Sequence, residues 1–376
     1  MIYFDNAATG GFKPSTVLDT TTSVLKYLNA NPGRSGHSLS QTAGDYVYSC
    51  RQKVCDFFGV LDPSKVIFCK NCTEALNIAI LGSIKGGIVL TSTLEHNSVL
   101  RPLYYLEKQN KITLKVIKPK NNRFITLEDI AENYSSEVSA VCLNYISNVT
   151  GEISEIAKIG EFLKDKPTLF IVDGAQAGGH IPISLSSLNV DMLALAGHKG
   201  LYSIMGVGIL LLSKNVSPEP ITFGGTGTES FNPNQPDCYP ERLESGTLNL
   251  PAICSLEEGI RYIENNLSFI QERLVLMTDY LISKLKEIDG VRVYSTKNPA
   301  GIVSFEILNL PSNEATDILS AKYNIACRGG YHCAPLVHKM LGTDSYGLIR
   351  ASLCVHNTKS EQNALISAVK EIIKSF

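Results

Sequence analysis

The sequence lacks any apolar run long enough to cross a bilayer. Its longest uninterrupted runs, such as GVGILLL at 206–212, fall far below the roughly 20 residues that a membrane-spanning helix requires. It also lacks an excess of either charge, because 34 basic side chains balance 36 acidic ones and leave a net charge of −2. These two absences give no reason to expect a membrane or a nucleic acid as a partner.

The amino terminus, MIYFDNAATG, lacks the basic segment and the apolar core of a secretory signal peptide, which predicts a cytoplasmic protein. The ten cysteines lack the pattern of a secreted disulfide framework, since several fall in helical or apolar patterns. Cys69 and Cys72 form a C-x-x-C pair, but no second pair or nearby histidine completes a zinc set. We therefore predict no metal site, and we expect most of the cysteines to be small buried hydrophobic residues.

Seven short β-rich runs between residues 65 and 212 alternate mostly with helical patterns. The runs are nearly continuous hydrophobic stretches, for example TLFIVD and MLALAG, which is typical of parallel strands buried on both faces. They predict an α/β fold with a mainly parallel seven-stranded sheet flanked by helices.

The chain of 376 residues is long enough for two domains. We predict a large α/β domain over residues 14–254, which includes a loop at 218–250 rich in Pro, Gly, Asn and Thr. Residues 1–13 and 255–376 are predicted to form a smaller α+β C-terminal domain. A long helix, shorter strands and a final helix from about residue 359 make up most of it.

Lys199 is the residue that suggests chemistry most directly. It follows the apolar strand pattern MLALAG, so it is expected at a strand end, where ligands bind in α/β sheets. Asp173 ends an earlier strand pattern, with Gln176 three residues further on. A lysine that condenses with an aldehyde and a carboxylate that keeps a pyridine nitrogen protonated fit pyridoxal phosphate. The structural alternatives are a strand-end lysine in solvent and an aspartate that caps a helix.

Thr73 and His96 extend this hypothesis. Thr73 opens a helical pattern after a strand end, where backbone N–H groups and a hydroxyl can hold a phosphate, although a threonine there is usually only a helix cap. His96 follows another strand end and could stack on a planar cofactor or serve as an ordinary structural histidine. Neither residue by itself distinguishes cofactor binding from these ordinary structural roles.

The segment RGGYHCAPL places Cys333 beside His332 and five residues after Arg328. On its own, Cys333 is most simply one more buried cysteine. Next to a cationic Arg328 and a protonated His332 it would be favoured as a thiolate, the form that acts as a nucleophile. The glycine pair Gly329 and Gly330 lets the backbone turn close to a substrate.

Motifs along almost the whole chain resemble those of one enzyme group. They are, in order, IYFDNAATG, TEALN, EHNS, SNVTGEI, VDGAQ, GHKG, ESGTLN, RGGYHCAPL and IRASLCVHNT. On these motifs the chain resembles the class V aminotransferase-like, fold type I pyridoxal-phosphate enzymes, and within them the cysteine desulfurases and selenocysteine lyases. The resemblance implies the fold of pyridoxal-phosphate-dependent transferases, the cofactor pyridoxal 5'-phosphate and a homodimer with shared active sites.

The resemblance also implies roles for individual residues. Lys199 would bind the cofactor covalently and then move the α-proton, Cys333 would attack the substrate sulfur, and His96 would stack over the cofactor ring as part of the catalytic set. The other implied cofactor-binding residues are Asp173 at the pyridine nitrogen, Gln176 at the phenolic oxygen, Thr73, His198 and the backbone near Cys72 at the phosphate, and Thr247 reaching in from the second subunit. The implied substrate-binding residues are Asn148, Arg328 and Arg350, at the amino-acid carboxylate.

Two positions depart from the pattern of many relatives. Ala196 and Cys72 stand where hydroxyl residues are common, so two phosphate donors are expected to be missing. The loop before Cys333 is short and resembles the group whose thiol lies on a fixed, sheltered loop. Such a thiol would pass its sulfur to a dedicated acceptor protein or to a small thiol.

The sequence therefore predicts a cysteine desulfurase that converts L-cysteine into L-alanine and leaves a persulfide on Cys333. Iron-sulfur cluster assembly and tRNA thiolation are candidate destinations of the sulfur. Selenocysteine lyase, cysteine sulfinate desulfinase and small-amino-acid aminotransferase activities remain open within the same fold. A non-catalytic sulfur-carrier scaffold is the alternative from a different class, and the departures at Cys72 and Ala196 motivate it.

Overall fold

The computed structural model describes residues 1–33 and 35–375. Its strands, in chain order, are Ile2–Tyr3 (β1), Val66–Cys69 (β2), Ile88–Ser92 (β3), Thr113–Ile117 (β4), Val138–Asn144 (β5), Leu169–Asp173 (β6), Met192–Ala196 (β7), Gly208–Leu212 (β8), Val291–Val293 (β9), Ile302–Ile307 (β10), Ile325–Ala326 (β11) and Ile349–Ser352 (β12). Its α-helices are Ser15–Tyr27 (α1), Ser38–Phe57 (α2), Cys72–Ser83 (α3), Asn97–Lys108 (α4), Leu127–Ala131 (α5), Ile156–Leu163 (α6), Leu250–Lys286 (α7), Ser312–Tyr323 (α8), Pro335–Leu341 (α9) and Lys359–Lys374 (α10).

A seven-stranded sheet in the order β2-β8-β7-β6-β5-β3-β4 forms the centre of the fold. Its strands coincide with the seven runs predicted from the sequence. Only β8 runs against its neighbours, because both of its pairings, with β2 and with β7, are antiparallel. The predicted α/β fold with a mainly parallel sheet is therefore confirmed. The remaining six strands bring their carboxyl ends to one edge, where a ligand site is expected.

Burial on both faces explains why these strands are continuous apolar runs. Along β6, Phe170 and Val172 join the hydrophobic cluster on one face, and Ile171 joins the cluster on the other. Helices α3 and α4 contribute to the second cluster. Neither face of the strand is left to water, so neither face needs polar residues.

The C-terminal part contains a separate three-stranded antiparallel sheet in the order β12-β10-β9. Strand β1 pairs with β11, which attaches the amino terminus to this part of the chain. Helix α7 begins at Leu250 and runs through the position predicted as the domain boundary, between residues 254 and 255. The predicted boundaries of the two domains stay a prediction. In the described residues, no helix is long and apolar enough to cross a membrane.

Candidate active site

A cavity opens at the carboxyl edge of the seven-stranded sheet. Its wall is formed by residues that follow β2, β3, β5, β6 and β7. The predicted site residues that line it are Cys72, Thr73, His96, Asn148, Asp173, Gln176, His198 and Lys199. Residues far apart in the sequence therefore meet because parallel strands end at the same edge.

Lys199 and Asp173 both line the cavity. Burial lowers the pKa of Lys199, and the negative charge of Asp173 opposes this effect. A lowered pKa increases the fraction of neutral amine, the form that condenses with an aldehyde. Asp173 Oδ1 accepts hydrogen bonds from the backbone N–H of Ala175 at 2.9 Å and from the Cys72 thiol at 3.7 Å. Its Oδ2 has no hydrogen-bond partner within the described chain.

Gln176 presents a second unused polar group. Its Nε2 donates a hydrogen bond to the backbone oxygen of Ala7 at 3.0 Å. Its Oε1 is buried and has no partner in residues 1–33 and 35–375. Most buried polar atoms in proteins are paired, so an unpaired amide oxygen in a cavity wall indicates a place for a bound group.

A chain of polar side chains joins the start of α3 to His96. Thr73 Oγ1 lies 2.8 Å from Ser98 Oγ, which lies 2.9 Å from His96 Nδ1. The backbone N–H of Ser98 also donates to that nitrogen at 3.1 Å. Burial lowers the pKa of His96, so the ring is neutral, with Nδ1 as the acceptor and the proton on Nε2. Ser98 was not predicted as a site residue, and its position in the motif EHNS was the only signal for it.

His198 lines the same cavity next to Lys199. Its Nδ1 lies 3.1 Å from Thr9 Oγ1. Burial lowers the pKa of His198 to about 4, and the charges of Lys199 and Lys13 add to this effect. The ammonium of Lys13 donates to the backbone oxygen of His198 at 3.2 Å, which brings a positive charge close to the predicted phosphate end of the site.

The loop that carries Cys333 is attached to the cavity wall by two hydrogen bonds. The backbone N–H of Asn97 donates to the Cys333 oxygen at 2.7 Å, and Asn148 Nδ2 donates to the His332 oxygen at 2.8 Å. His332 and Cys333 have φ angles of +50° and +57°. This left-handed conformation costs a non-glycine residue about 1–2 kcal/mol, so the loop depends on these bonds to hold its shape.

Two expectations about the surroundings of Cys333 are wrong. Its side chain is exposed in the described chain and not sheltered. His332 is not protonated, because burial lowers its pKa well below the ordinary value, and its Nε2 lies 3.2 Å from the backbone oxygen of Arg328. The positive charge beside the thiol comes from Arg328, whose Nη2 lies 3.7 Å from Cys333 Sγ.

The three predicted substrate-binding residues lie together beside this loop. Arg350 is only 1% exposed and donates to Asp5 Oδ1 at 3.0 Å and to the Asn148 backbone oxygen at 2.9 Å. Its Nε is buried without a partner in the described part of the chain. Arg328 and Arg350 exchange backbone hydrogen bonds of 3.2 and 2.8 Å. Both terminal nitrogens of Arg350 are thus already engaged with partners inside the chain.

Thr247 does not line the Lys199 cavity of its own chain, and neither do Arg328, Cys333 and Arg350. Thr247 is exposed and lines a neighbouring cavity with Glu244. Glu244 anchors the loop that carries Thr247, because Arg51 holds its carboxylate through paired hydrogen bonds of 2.8 and 2.9 Å. The backbone N–H of Phe68 donates to the same carboxylate at 2.6 Å.

Replacing Glu244 with glutamine is expected to lower the free energy of unfolding by about 3–5 kcal/mol, the usual cost of breaking a buried ion pair. Burial raises the pKa of Glu244 against the opposing effect of Arg51, so desolvation already offsets much of the attraction. The loss arises because Arg51 is left buried without its counter-charge. Urea unfolding followed by circular dichroism measures it. Glu264→Gln, which removes the exposed ion pair with Lys53, should cost less than about 1 kcal/mol, and equal costs would contradict this prediction.

Comparison with known proteins agrees with this geometry. The family model for class V aminotransferases matches residues 2–365. A probable cysteine desulfurase of Pyrococcus abyssi is 32% identical, over 100% of this chain and 95% of its own length. The chain belongs to the cysteine desulfurase family. A probable cysteine desulfurase of Borreliella burgdorferi is 31% identical, over 100% of this chain and 92% of its own length. The apo structure of a cysteine desulfurase from Thermococcus onnurineus aligns with a TM-score of 0.90 and 32% identity, covering 100% of this chain and 95% of that one.

At positions 72 and 196, this member of the cysteine desulfurase family contributes no hydroxyl group to the cavity wall. Ala196 contributes only a methyl group to the wall. The Cys72 side chain bonds to Asp173 through its thiol. The hydroxyl groups in the described cavity wall come instead from Thr73 and Ser98, which are bonded to each other.

Proposed function

We propose that the protein is a pyridoxal-phosphate-dependent cysteine desulfurase that converts L-cysteine into L-alanine and leaves the sulfur as a persulfide on Cys333. One observation carries this proposal. Lys199, Asp173 and Gln176 line a single cavity, and hydrogen bonds from Asn97 and Asn148 attach the Cys333 loop to its wall. A generic aminotransferase has no need of that thiol.

The unused polar atoms of the cavity fit the cofactor. Asp173 keeps Oδ2 free for a protonated pyridine nitrogen, and the unpaired Oε1 of Gln176 could accept a hydrogen bond from a phenolic O–H of the cofactor. Thr73 at the start of α3 and His198 would hold the phosphate, and His96 would stack over the ring. When bound, pyridoxal phosphate acts as an electron sink for bonds at the substrate α-carbon.

Lys199 supplies the amine and the proton transfers. With its pKa lowered by burial, its neutral form is accessible for condensation with the cofactor aldehyde. With the substrate bound, the free amine of Lys199 could remove the substrate α-proton and later return a proton to the product. Asn148, Arg328 and Arg350 would orient the substrate carboxylate, with the buried Nε of Arg350 as one available donor.

Cys333 receives the sulfur. Its thiolate attacks the substrate sulfur, so an S–S bond forms while the C–S bond breaks and its electron pair stays with the carbon skeleton. Protonation of that skeleton gives alanine. Enzyme thiol plus cysteine yields enzyme persulfide plus alanine, and no external oxidant or reductant is required. Arg328 Nη2 donates a hydrogen bond to Cys333 Sγ at 3.7 Å, which places a positive charge beside the attacking sulfur.

We further propose a homodimer in which Thr247 completes the phosphate site of the second subunit. Thr247 is exposed and does not line the Lys199 cavity of its own chain. Three large apolar side chains in the same region are also exposed, Met205 at 69%, Phe223 at 71% and Phe231 at 104%. Apolar groups at this exposure suit a subunit contact. The exposed Cys333 would then pass its sulfur to an acceptor protein or to a small thiol.

The ten cysteines are all free, which suits a reducing compartment such as the cytoplasm. Within residues 1–33 and 35–375, no group of three or more His, Cys, Asp or Glu side chains is arranged to hold a metal ion. The reaction proposed above requires none.

The proposed function predicts a visible absorbance band in the purified protein and alanine formation from L-cysteine. The band arises from the cofactor bound covalently to Lys199, and alanine is the carbon product. Alanine should be measured from L-cysteine, cysteine sulfinate and selenocysteine side by side, with and without an added thiol. Absence of the band after addition of pyridoxal phosphate would support the non-catalytic scaffold. A band with no turnover of cysteine would favour cysteine sulfinate or selenocysteine as the substrate instead.

A further inference from the structure

Glu95 is a fully buried carboxyl that the proposed reaction does not use. It lies in the turn between β3 and α4, directly before His96, and is 0% exposed. Within the described chain, no lysine, arginine or histidine forms an ion pair with it. Buried carboxylates normally have such a partner.

Two buried side-chain oxygen atoms, one on Glu95 and one on Asn144, are left without donors in the described chain. Glu95 Oε1 accepts a hydrogen bond from Ser92 Oγ at 2.5 Å, but Oε2 is buried and has no partner in residues 1–33 and 35–375. The same holds for Oδ1 of Asn144, whose Nδ2 donates to the backbone oxygen of Leu94. As a carboxylate, Glu95 would be a buried charge with no cationic partner in the described chain.

A single proton removes this conflict. A protonated carboxyl carries an O–H donor, whereas a carboxylate only accepts hydrogen bonds. With the proton on Oε2, Glu95 becomes a neutral group that can donate to an acceptor such as Asn144 Oδ1. Asn144 is the residue of β5 that pairs in register with Asp173 of β6, so this contact would join the turn to the catalytic edge.

We propose that Glu95 is a protonated carboxylic acid in the resting protein and acts as a positioning residue that holds the turn from Ser92 to His96 against the cavity. Its effect on the reaction rests on the proposed function, in which the His96 ring stacks on the cofactor. Its protonation does not rest on the proposed function, because the burial of Glu95 and its lack of a cationic partner are features of the described chain alone.

The surrounding charges agree with this geometry. Burial raises the pKa of Glu95 to about 8, the charge of Asp173 raises it further, and hydrogen bonds from Ser92 and Asn144 oppose the rise. The thiol of Cys142 on β5 has its own pKa raised by burial and by Glu95. Between the ordinary value of 4.5 and about 8, the native protein holds a proton that the unfolded chain has released. The free energy of unfolding therefore falls as the pH rises through this window.

Infrared spectroscopy of the cofactor-free protein tests the proton directly. The spectrum of the wild type minus that of Glu95→Gln should contain the C=O stretch of a protonated carboxyl at neutral pH, with the shift expected on transfer to heavy water. The band should disappear as the pH rises through about 8. A difference spectrum that contains only carboxylate bands at neutral pH would overturn the proposal.

Two substitutions test the positioning role. Glu95→Ala removes the donor and should weaken pyridoxal phosphate binding by about tenfold, the scale of one lost buried hydrogen bond. Glu95→Gln retains a neutral donor and should restore the affinity. Deprotonation of Glu95 is expected to weaken binding by the wild type above a pH of about 8, and Glu95→Gln should not have this alkaline loss. If Glu95→Gln fails to restore affinity, or if the alkaline loss persists in it, the positioning role is wrong even where the infrared band is present.

Discussion

Replacing Cys333 with alanine is expected to abolish the release of sulfur from L-cysteine. The proposed reaction ends on this thiol, and no water molecule can replace it as the acceptor of the sulfur. Alanine formation from cysteine should fall by at least about 10³-fold, which corresponds to about 4 kcal/mol in the barrier. The visible band should remain, because Cys333 is not among the residues that line the Lys199 cavity.

Cys238→Ala is the matched control for this substitution. Cys238 and Cys333 are the exposed cysteines among the ten, and Cys238 lies on the loop before α7, away from the cavity wall. Its loss should leave alanine formation unchanged. Undiminished desulfuration in Cys333→Ala would contradict the persulfide route. Retained activity on selenocysteine or cysteine sulfinate, with that on cysteine lost, would favour those substrates instead.

Replacing Lys199 with alanine is expected to remove both the covalent attachment of the cofactor and the proton transfers at the α-carbon. Loss of the proton-transfer group alone typically costs about 10²–10⁴-fold in rate, and loss of the condensing amine adds to it. Turnover should therefore be undetectable in a standard assay. The visible band of the protein-bound cofactor should be replaced by that of the free aldehyde.

Lys199→Arg separates charge from reactivity. Arginine keeps a cation near Asp173, so the electrostatics at the cavity centre change little, but its guanidinium does not form the covalent link. We expect this variant to fold, to bind pyridoxal phosphate more weakly and to be inactive. A normal visible band in either variant, stable to extensive dialysis, would show that another residue holds the cofactor.

The seven-stranded sheet was predictable because its strands are buried on both faces. A strand such as β6, with Phe170 and Val172 on one side and Ile171 on the other, leaves an unmistakable apolar run. The reversed direction of β8 was not predictable, since GVGILLL has the same character as the parallel strands. Strand β12 was missed for a different reason. Its sequence contains Arg350, a charged residue that is not expected in a buried strand. The fold accommodates it because the guanidinium donates hydrogen bonds to Asp5 and to the backbone oxygen of Asn148.

Within the site, residue identity was predictable and ionisation state was not. The order of motifs located Lys199, Asp173 and Gln176, which the structure brings to one cavity. The charge of His332 depends on how deeply the fold buries it. The sequence predicted a cationic ring, whereas burial lowers the pKa of His332 and keeps the ring neutral. The role of Ser98 likewise depends on a contact with Thr73 that lies 25 residues away in the chain.

Glu95 and Glu244 illustrate the same limit. Both are glutamates in polar-looking segments, and both are buried. Glu244 has Arg51 as its partner, whereas Glu95 has only Ser92 and the Asn144 backbone. Their opposite expected responses to glutamine follow from that difference, which no local sequence pattern records.

Peptide mass spectrometry after a single exposure to L-cysteine is the most direct test of the central proposal. Protein loaded with pyridoxal phosphate should be mixed with cysteine, quenched with an alkylating reagent and digested, while alanine is quantified in the same sample. The peptide that contains Cys333 should gain the mass of one sulfur atom, in proportion to the alanine formed, and the peptide that contains Cys238 should not. Alanine formed without added sulfur on Cys333 would contradict the proposal.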